Sequence, residues 1–178
     1  QSFQVSISSP INKVQFYIKK VGSPANASVR VVADNSGSPS TTNLLSSQGT
    51  ISASSVTTSY GWLDVALPDN PTLYAGTTYW LVVDNSSNSD SNYYILGAND
   101  SGYSSGSVKI GVFGGSWNNP SPTTLDSYFK IYLGGLTATI NGITVGLAGV
   151  GDAWAHTITG GSVAGTKYCQ VGTGCNTS

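Results

Sequence analysis

Leu73-Tyr74-Ala75-Gly76-Thr77-Thr78-Tyr79-Trp80-Leu81-Val82-Val83-Asp84 is the stretch that decides the fold. It follows a turn signal, Asp69-Asn70-Pro71, and runs into a polar segment at 85–88. From Tyr79 to Val83 every residue is aromatic or aliphatic, and such a short run bounded by turns is typical of a strand buried on both faces. A strand of this kind needs sheet neighbours and a second layer over it.

Alternating apolar and polar residues on both sides of this stretch predict those neighbours. In each of the three predicted strands at 13–21, 27–33 and 60–67, we expect alternate side chains to point into the core and the side chains between them to point to solvent. The expected inward residues are Val14, Phe16 and Ile18, then Val29 and Val31, then Leu63, Val65 and Leu67; the expected outward residues are Lys13, Gln15, Tyr17, Lys19, Trp62 and Asp64. Residues 1–9 form a first strand with Phe3, Val5 and Ile7 on one face, ended by Pro10.

Further short strands are predicted at 50–57, 93–96, 108–113 and 128–133, with turn signals between them. No segment shows a helical period. Many short strands at this spacing predict an all-β, antiparallel β-sandwich of the jelly-roll kind.

The composition limits the partners and the location of the chain. The 178 residues are 39% hydrophobic but only 8% charged, with a formal net charge of −1. This balance argues against nucleic acid or an anionic membrane as a partner, and no run approaches the ~20 apolar residues of a membrane span. The chain has no Met and begins at Gln1, so we expect a mature terminus left by signal-peptide removal and an extracellular or cell-surface location.

The cysteines support the same location. Cys169 and Cys175 lie close together near the C-terminus and are predicted to form a local disulfide; two free thiols are the alternative. A metal site there is disfavoured because His156 is the only histidine.

Gly134-Gly135 marks a change in composition and the predicted domain boundary. Residues 1–135 form the sandwich, and 136–178 form a C-terminal arm of short strands that is too poor in large side chains to fold alone. The arm either packs on its own sandwich or adds a strand to a neighbouring subunit, which would build a homopolymer such as a filament. The residues predicted to make this contact are Leu136, Ile140, Ile143, Val145, Leu147, Val150, Trp154 and Ile158.

Catalytic chemistry is not indicated. The eight acidic residues are all Asp and are scattered singly, and no nucleophile-elbow motif surrounds a Ser. We therefore expect no catalytic residues and no cofactor. Structural calcium is conceivable on Asp34, Asn35 and Asp100, although capping of turns is the better interpretation.

Aromatic residues in loops raise the possibility of sugar binding. Tyr103, Trp117 and Tyr60 are candidates to stack on pyranose rings; alternatively, Trp117 caps the end of the sandwich. Four sequons are candidate N-glycosylation sites: Asn26, Asn85, Asn99 and Asn176.

Five motifs in order carry a resemblance to a known family: Phe3-x-Val5, the run 13–22 (Lys-Val-Gln-Phe-Tyr-Ile-Lys-Lys-Val-Gly), Val-Arg-Val-Val-x-Asp at 29–34, Gly-Trp-Leu-Asp-Val at 61–65, and 73–83. Over about residues 1–135 the chain resembles the choice-of-anchor family of bacterial surface domains, which are similar to carbohydrate-binding jelly rolls. The resemblance implies an exported, non-catalytic β-sandwich at a cell surface. The leading hypothesis is a structural subunit of an extracellular assembly, a filament or surface layer; the alternative is a carbohydrate-binding or adhesive module.

Overall fold

A computed structural model describes residues 1–134, apart from 86, 88, 101 and 102, and the backbone of four strands beyond them. Its elements are strands, together with a 3-10 turn at Ala53–Ser55. The strands are β1 (Ser2–Phe3), β2 (Ser9–Val21), β3 (Ala27–Asp34), β4 (Pro39–Asn43), β5 (Gly49–Ile51), β6 (Gly61–Ala66), β7 (Thr72–Leu73), β8 (Tyr79–Asp84), β9 (Tyr93–Leu96), β10 (Ala98–Asn99), β11 (Ile110–Gly111), β12 (Trp117–Asn118), β13 (Asp126–Ser127), β14 (Phe129–Leu133), β15 (Thr137–Ile140), β16 (Ile143–Gly146), β17 (Lys167–Gln170) and β18 (Gly174–Thr177).

Two antiparallel sheets make the body. The first has the strand order β1-β8-β3-β4, with β5 also paired to β3; the second has the order β14-β2-β6, with β7 and β9 also paired to β2. Their facing rows share one hydrophobic core, in which Val14 and Phe16 of the second sheet lie with Val29, Val31 and Leu81 of the first. The predicted all-β, antiparallel β-sandwich is confirmed.

Strand β8 is buried on both faces, as its sequence predicts. Tyr79 and Leu81 belong to the core between the sheets. Trp80 and Val82 point the other way and pack with Val32. Phe113 and Trp117 pack over these three, and we call the five residues the outer cluster. The second layer over β8 therefore comes from a loop segment on its outer side and from the facing sheet on its inner side.

Strand β2 organises the second sheet because it is long enough to hold several partners. Its alternation is confirmed, with Val14, Phe16 and Ile18 buried. On one side it pairs with β6, where Tyr17 lies opposite Trp62. On the other side β14 pairs with its first part and β9 with its last part.

Some strand predictions are wrong in detail. Ile7 is 57% exposed, because the chain bends at residues 6–7 and the alternation that buries Phe3 and Val5 ends there. Pro10 does not end a strand but lies at the start of β2, where a missing N–H is tolerated. The predicted strand at 108–113 is reduced to β11, and the one at 50–57 to β5 followed by the 3-10 turn.

Beyond Gly134 the structure describes two hairpins by their backbone. β15 pairs with β16, and β17 pairs with β18. In the second hairpin Cys169 lies directly opposite Cys175. Of the predicted contact residues, Ile140, Ile143 and Val145 lie in the first hairpin, whereas Leu136, Leu147, Val150, Trp154 and Ile158 lie outside the described residues.

The part of the chain that the structure describes contains no helix long and apolar enough to cross a membrane.

Candidate functional site

An apolar groove opens along one edge of the sandwich, between the β1 end of the first sheet and β14 of the second. It has a volume of about 470 Å³. We call it the edge groove; its lining residues are Phe3, Gln4, Val5, Ser6, Asn99, Tyr103, Asp126, Ser127, Tyr128, Phe129, Ile131 and Leu133. Leu133, at one end of this lining, is followed in sequence by Gly134, where the predicted domain boundary begins.

Core residues form the walls of the edge groove. Phe3 lies with its ring centroid 6.0 Å from that of Tyr79 and 6.2 Å from that of Phe129. Tyr103 meets Phe129 edge-on at 5.4 Å. Ile131, on β14, is half-buried and packs against the core. The groove thus reaches the core between the two sheets, where Phe3 is buried and Phe129 and Ile131 are half-buried.

One long edge of β14 has no partner among the strands that the structure describes. Among the described strands, the pairing of β14 is with β2, from Phe129 opposite Phe16 to Leu133 opposite Ile11. An edge strand presents unpaired N–H and C=O groups that can pair with another chain. The charge on β14 is limited to Lys130, so this edge carries little of the protection that natural sheets usually show.

The polar end of the groove is held by its own hydrogen bonds. The buried Asp126 carboxylate accepts from Gln1 Nε2 at 2.9 Å and from the Tyr103 N–H at 3.1 Å. The Ser127 N–H donates to Gln1 Oε1 at 2.9 Å. Burial lowers the pKa of the Gln1 α-amino group to about 5, and the nearby Asp126 carboxylate partly offsets this effect. These bonds tie residue 1 to the segment before β14.

The loop aromatics predicted to stack on sugars do not lie together. Tyr103 lines the edge groove, and its hydroxyl accepts a long hydrogen bond, 3.4 Å, from the Gln4 N–H. Trp117 is half-buried within the outer cluster, on the far side of the first sheet. Trp117 therefore covers the outer face of the first sheet, which differs from the predicted alternative of a cap at the end of the sandwich.

The four sequons differ in accessibility. Asn26 is exposed, although its Oδ1 accepts from the Ala53 N–H at 2.9 Å. Asn85 has its Nδ2, the atom that would carry a glycan, buried with no hydrogen-bond partner among the described residues. Asn99 is half-buried in the wall of the edge groove, and Asn176 lies in β18. Asn26 is the sequon best placed for modification among those whose side chains are described.

Asp34, the first of the predicted calcium ligands, makes hydrogen bonds within the protein. Asp34 accepts from the Gly37 N–H at 3.1 Å and from Trp80 Nε1 at 2.7 Å. Asp100 is exposed on a different loop. Within the described residues no three His, Cys, Asp or Glu side chains are grouped as a metal would need. The bonds to Asp34 correspond to the turn-capping interpretation.

A second surface feature is a row of aromatic rings on the outer side of the second sheet. We call it the aromatic face; it consists of Tyr17, Tyr60, Trp62 and Tyr128. Tyr17 is central: its ring is stacked with Tyr60 at 5.3 Å, tilted to Trp62 at 5.4 Å and edge-on to Tyr128 at 6.1 Å. Tyr60, Trp62 and Tyr128 are 40%, 45% and 42% exposed. Large aromatic rings of this exposure, grouped rather than scattered, are a feature of binding surfaces.

Lysines accompany these rings. Lys130 Nζ lies 4.0 Å from the Trp62 ring centroid, and Lys19 Nζ lies 4.6 Å from that of Tyr60. Lys13 Nζ lies over Tyr132 at 4.1 Å and pairs with Asp64 at 2.9 Å. Exposed cation–π pairs contribute only about 0.5–1 kcal/mol each, so the ammonium groups are held loosely.

Asp64 is the acidic residue among the described neighbours of this face. Hydrogen bonds from Lys13 and then Gln15 lower the pKa of its carboxyl group, and Lys130 adds a smaller electrostatic contribution. The carboxylate is therefore kept ionised by the surrounding lysines, and three of the seven Lys and Arg residues of the chain lie on one side of the sandwich.

Gly97 allows the aromatic rings to lie this close to the backbone. Its N–H donates to the Tyr17 carbonyl at 2.6 Å, and its carbonyl accepts from the Tyr128 N–H at 2.8 Å. A Cβ at this position would lie 2.7 Å from Tyr17 Cδ1 and 3.3 Å from Tyr128 Cδ2. Any side chain there would displace a ring of the aromatic face.

Sequence reasoning named one member of the aromatic face, Tyr60, as a candidate for sugar stacking. The outward positions of Tyr17 and Trp62 were predicted, but the pairing of their strands was not. Tyr128 lies just before β14, and its place beside Tyr17 depends on the bond from the Tyr17 N–H to the Tyr128 carbonyl, 3.2 Å. The sequence signal for the aromatic face is the presence of an aromatic residue at an outward position in more than one strand, such as Tyr17 and Trp62.

Comparisons with protein-family models, with curated proteins and with solved structures found no match to this chain.

Proposed function

We propose that the chain is a non-catalytic structural subunit of an extracellular assembly, a filament or surface layer, in which the C-terminal arm of one subunit fills the edge groove of the next. The observation that supports the proposal is the groove itself. It is lined by core residues of both sheets, among them Phe3, which is buried, and Ile131, which is half-buried, and it lies beside the edge of β14 that no other described strand occupies. Burial of the half-buried members, such as Ile131, by an added strand would complete the sandwich.

The arm has the pattern that the groove requires. Ile143 and Val145 alternate with Thr144 and Gly146, so an extended strand offers one apolar row and one small, polar row. Among the described strands β15 pairs with β16 alone, and in the proposed assembly an outer edge of this hairpin pairs with β14 of the next subunit. An apolar row against the groove and backbone pairing against β14 supply both affinity and register.

Whether the arm fills the groove of its own subunit or that of another subunit decides between a monomer and a polymer. An arm that fills the groove of its own subunit closes the sandwich and ends assembly. An arm that fills the groove of another subunit makes a head-to-tail contact that repeats without closing, which gives a fibre. The low charge of the chain, 8% of its residues, favours the contact between copies because little repulsion opposes it.

The resemblance to choice-of-anchor surface domains supports the same location outside the cell and the absence of catalysis, and the proposed disulfide between Cys169 and Cys175 would secure the end of the arm. The alternative, a carbohydrate-binding or adhesive module that uses Tyr103 and Trp117, is less well supported, because both rings pack on other parts of the sandwich.

Electron microscopy of the concentrated full-length chain tests the proposal. We expect long fibres or sheets from the native chain and none from Ile131→Asp, which places a charge in the groove. Val112→Asp is the matched control, because Val112 is apolar, 73% exposed and outside the groove. Monomers of the native chain, or fibres formed equally well by Ile131→Asp, would reject it.

A further inference from the structure

The aromatic face lies away from the edge groove except at Tyr128, and its chemistry points to a ligand. Three neighbouring strands contribute to it: Trp62 is on β6, Tyr17 is on β2 and Tyr128 precedes β14. Adjacent strands are about 4.8 Å apart, so the row extends roughly 10 Å across the sheet. This length is comparable to that of a disaccharide.

We propose that the aromatic face binds an acidic polysaccharide, with pyranose rings stacked on Trp62 and Tyr60 and carboxylates paired with Lys130 and Lys19. This function is independent of the assembly proposed above, because neither Trp62 nor either lysine lines the edge groove.

The apolar part of the ligand is a ring with a flat C–H face. Trp62 and Tyr60 are exposed, and the sheet beneath them is held by the pairing of Tyr17 with Trp62. The centre of the face is fixed, because Gly97 ties the backbones of Tyr17 and Tyr128 together. A fixed aromatic surface loses little conformational freedom when a ring stacks on it, which favours binding.

Polar groups for sugar hydroxyls lie next to the rings. The Tyr132 hydroxyl donates to Gln15 Oε1 at 2.9 Å, and Gln15 Nε2 donates to Asp64. Both Gln15 and Asp64 face outward from the paired strands β2 and β6. Hydroxyl groups of a polysaccharide would therefore find donors and acceptors at the border of the aromatic surface.

Charge selects an acidic ligand over a neutral one. Lys130 and Lys19 already lie over the ring faces of Trp62 and Tyr60. A neutral sugar must displace these ammonium groups from the rings without offering them a replacement partner. A uronic acid stacks on the ring and provides a carboxylate for the displaced ammonium group, so the cation keeps a partner throughout.

The test measures binding of the full-length chain to polygalacturonate, to its fully methyl-esterified form and to a neutral glucan, by calorimetry at low and physiological salt. We expect the native chain to bind polygalacturonate, less tightly as salt rises. Loss of the exposed ring in Trp62→Ala should weaken binding about tenfold, and Lys130→Gln about threefold to tenfold. Asp64→Asn should tighten binding about twofold to threefold, because it removes a like charge.

Matched controls separate the face from general effects. Tyr74→Ala removes an aromatic side chain that is 63% exposed and lies outside the aromatic face. Lys109→Gln removes a lysine that is also outside this face and donates to Asn119. Both should bind polygalacturonate as the native chain does. The proposal would be overturned if the native chain did not bind polygalacturonate, or if it bound single-stranded DNA in place of the polyuronate. It would also be overturned if folded Trp62→Ala bound polygalacturonate as tightly as the native chain, or if the methyl-esterified polymer bound equally well.

Discussion

Trp80 and Asp34 are joined by a hydrogen bond of 2.7 Å between the indole Nε1 and a carboxylate oxygen. The bond connects β8, the strand that decides the fold, to the last residue of β3, on the outer side of the first sheet. Trp80 is almost fully buried, so its N–H has to find a partner within the protein. Asp34 thus accepts two hydrogen bonds: one from the Gly37 N–H of the following turn and one from the buried indole N–H of Trp80.

Replacement of this indole should destabilise the sandwich. Trp80→Phe removes a bond to a charged acceptor and leaves space in the outer cluster, so we expect the free energy of unfolding to fall by about 2–3 kcal/mol. Urea denaturation followed by circular dichroism measures it. Trp62→Phe is the control, with an expected change below about 0.5 kcal/mol because Trp62 is exposed. Equal losses in the two variants would contradict the role given to the bond.

The aromatic face should depend on the absence of a side chain at Gly97. Gly97→Ala places a Cβ against the Tyr17 ring and should cost about 1–3 kcal/mol of unfolding free energy. It should also weaken the binding of polygalacturonate. Gly61→Ala is the matched control, because a Cβ there meets open space, and a change within about 0.5 kcal/mol is expected. If Gly97→Ala were as stable as Gly61→Ala, the close approach described here would be wrong.

The Asp64 carboxyl group should titrate below its usual pKa of 3.8, chiefly because Lys13 donates to it. A lowered pKa in the folded state stabilises the protein above pH 3.8, and this contribution is lost as the pH falls through the folded-state pKa. An NMR titration should show the Asp64 pKa moving upward in Lys13→Gln and staying unchanged in Lys109→Gln. An unchanged Asp64 pKa in Lys13→Gln would show that the ion pair does not persist in solution.

The cysteine pair should be oxidised. Directly opposite residues of an antiparallel pair have Cα atoms about 4.5–5.5 Å apart, within the range that a disulfide bridges, and Cys169 faces Cys175 in this register. Thiol titration of the unfolded chain before and after reduction measures the state of the pair. We expect reactive thiols only after reduction; reactive thiols before reduction would show that the pair is open.

The alternation of apolar and polar residues in the sequence predicts correctly which side chains of a single strand are buried. The inward row of Val14, Phe16 and Ile18 and the burial of β8 on both faces follow from side-chain spacing along single strands. Failures occurred where the chain leaves a sheet. Ile7 continues the alternation of Phe3 and Val5, but the bend at 6–7 removes it from the core, and a bend of this kind has no periodic signal.

The candidate sites were harder to predict because both depend on strand order. The edge groove exists because β1 and β14, which are far apart in sequence, border the same opening. The aromatic face exists because Trp62 and Tyr128 are brought to either side of Tyr17. Each residue was visible as an outward or inward position, but one sequence without pairing information does not show which strands are neighbours.

The most direct test of the central proposal, that the arm of one subunit fills the groove of another, is a mixing experiment with two full-length variants. Ile131→Asp blocks the groove and keeps the arm, whereas Val145→Asp blocks the arm and keeps the groove. Circular dichroism first establishes that each variant is folded, with Leu133→Asp as a second groove variant if Ile131→Asp is not. Sedimentation velocity then compares each variant alone with an equimolar mixture. We predict that each is monomeric alone and that the mixture forms a one-to-one complex; a mixture that stays monomeric would contradict the proposal.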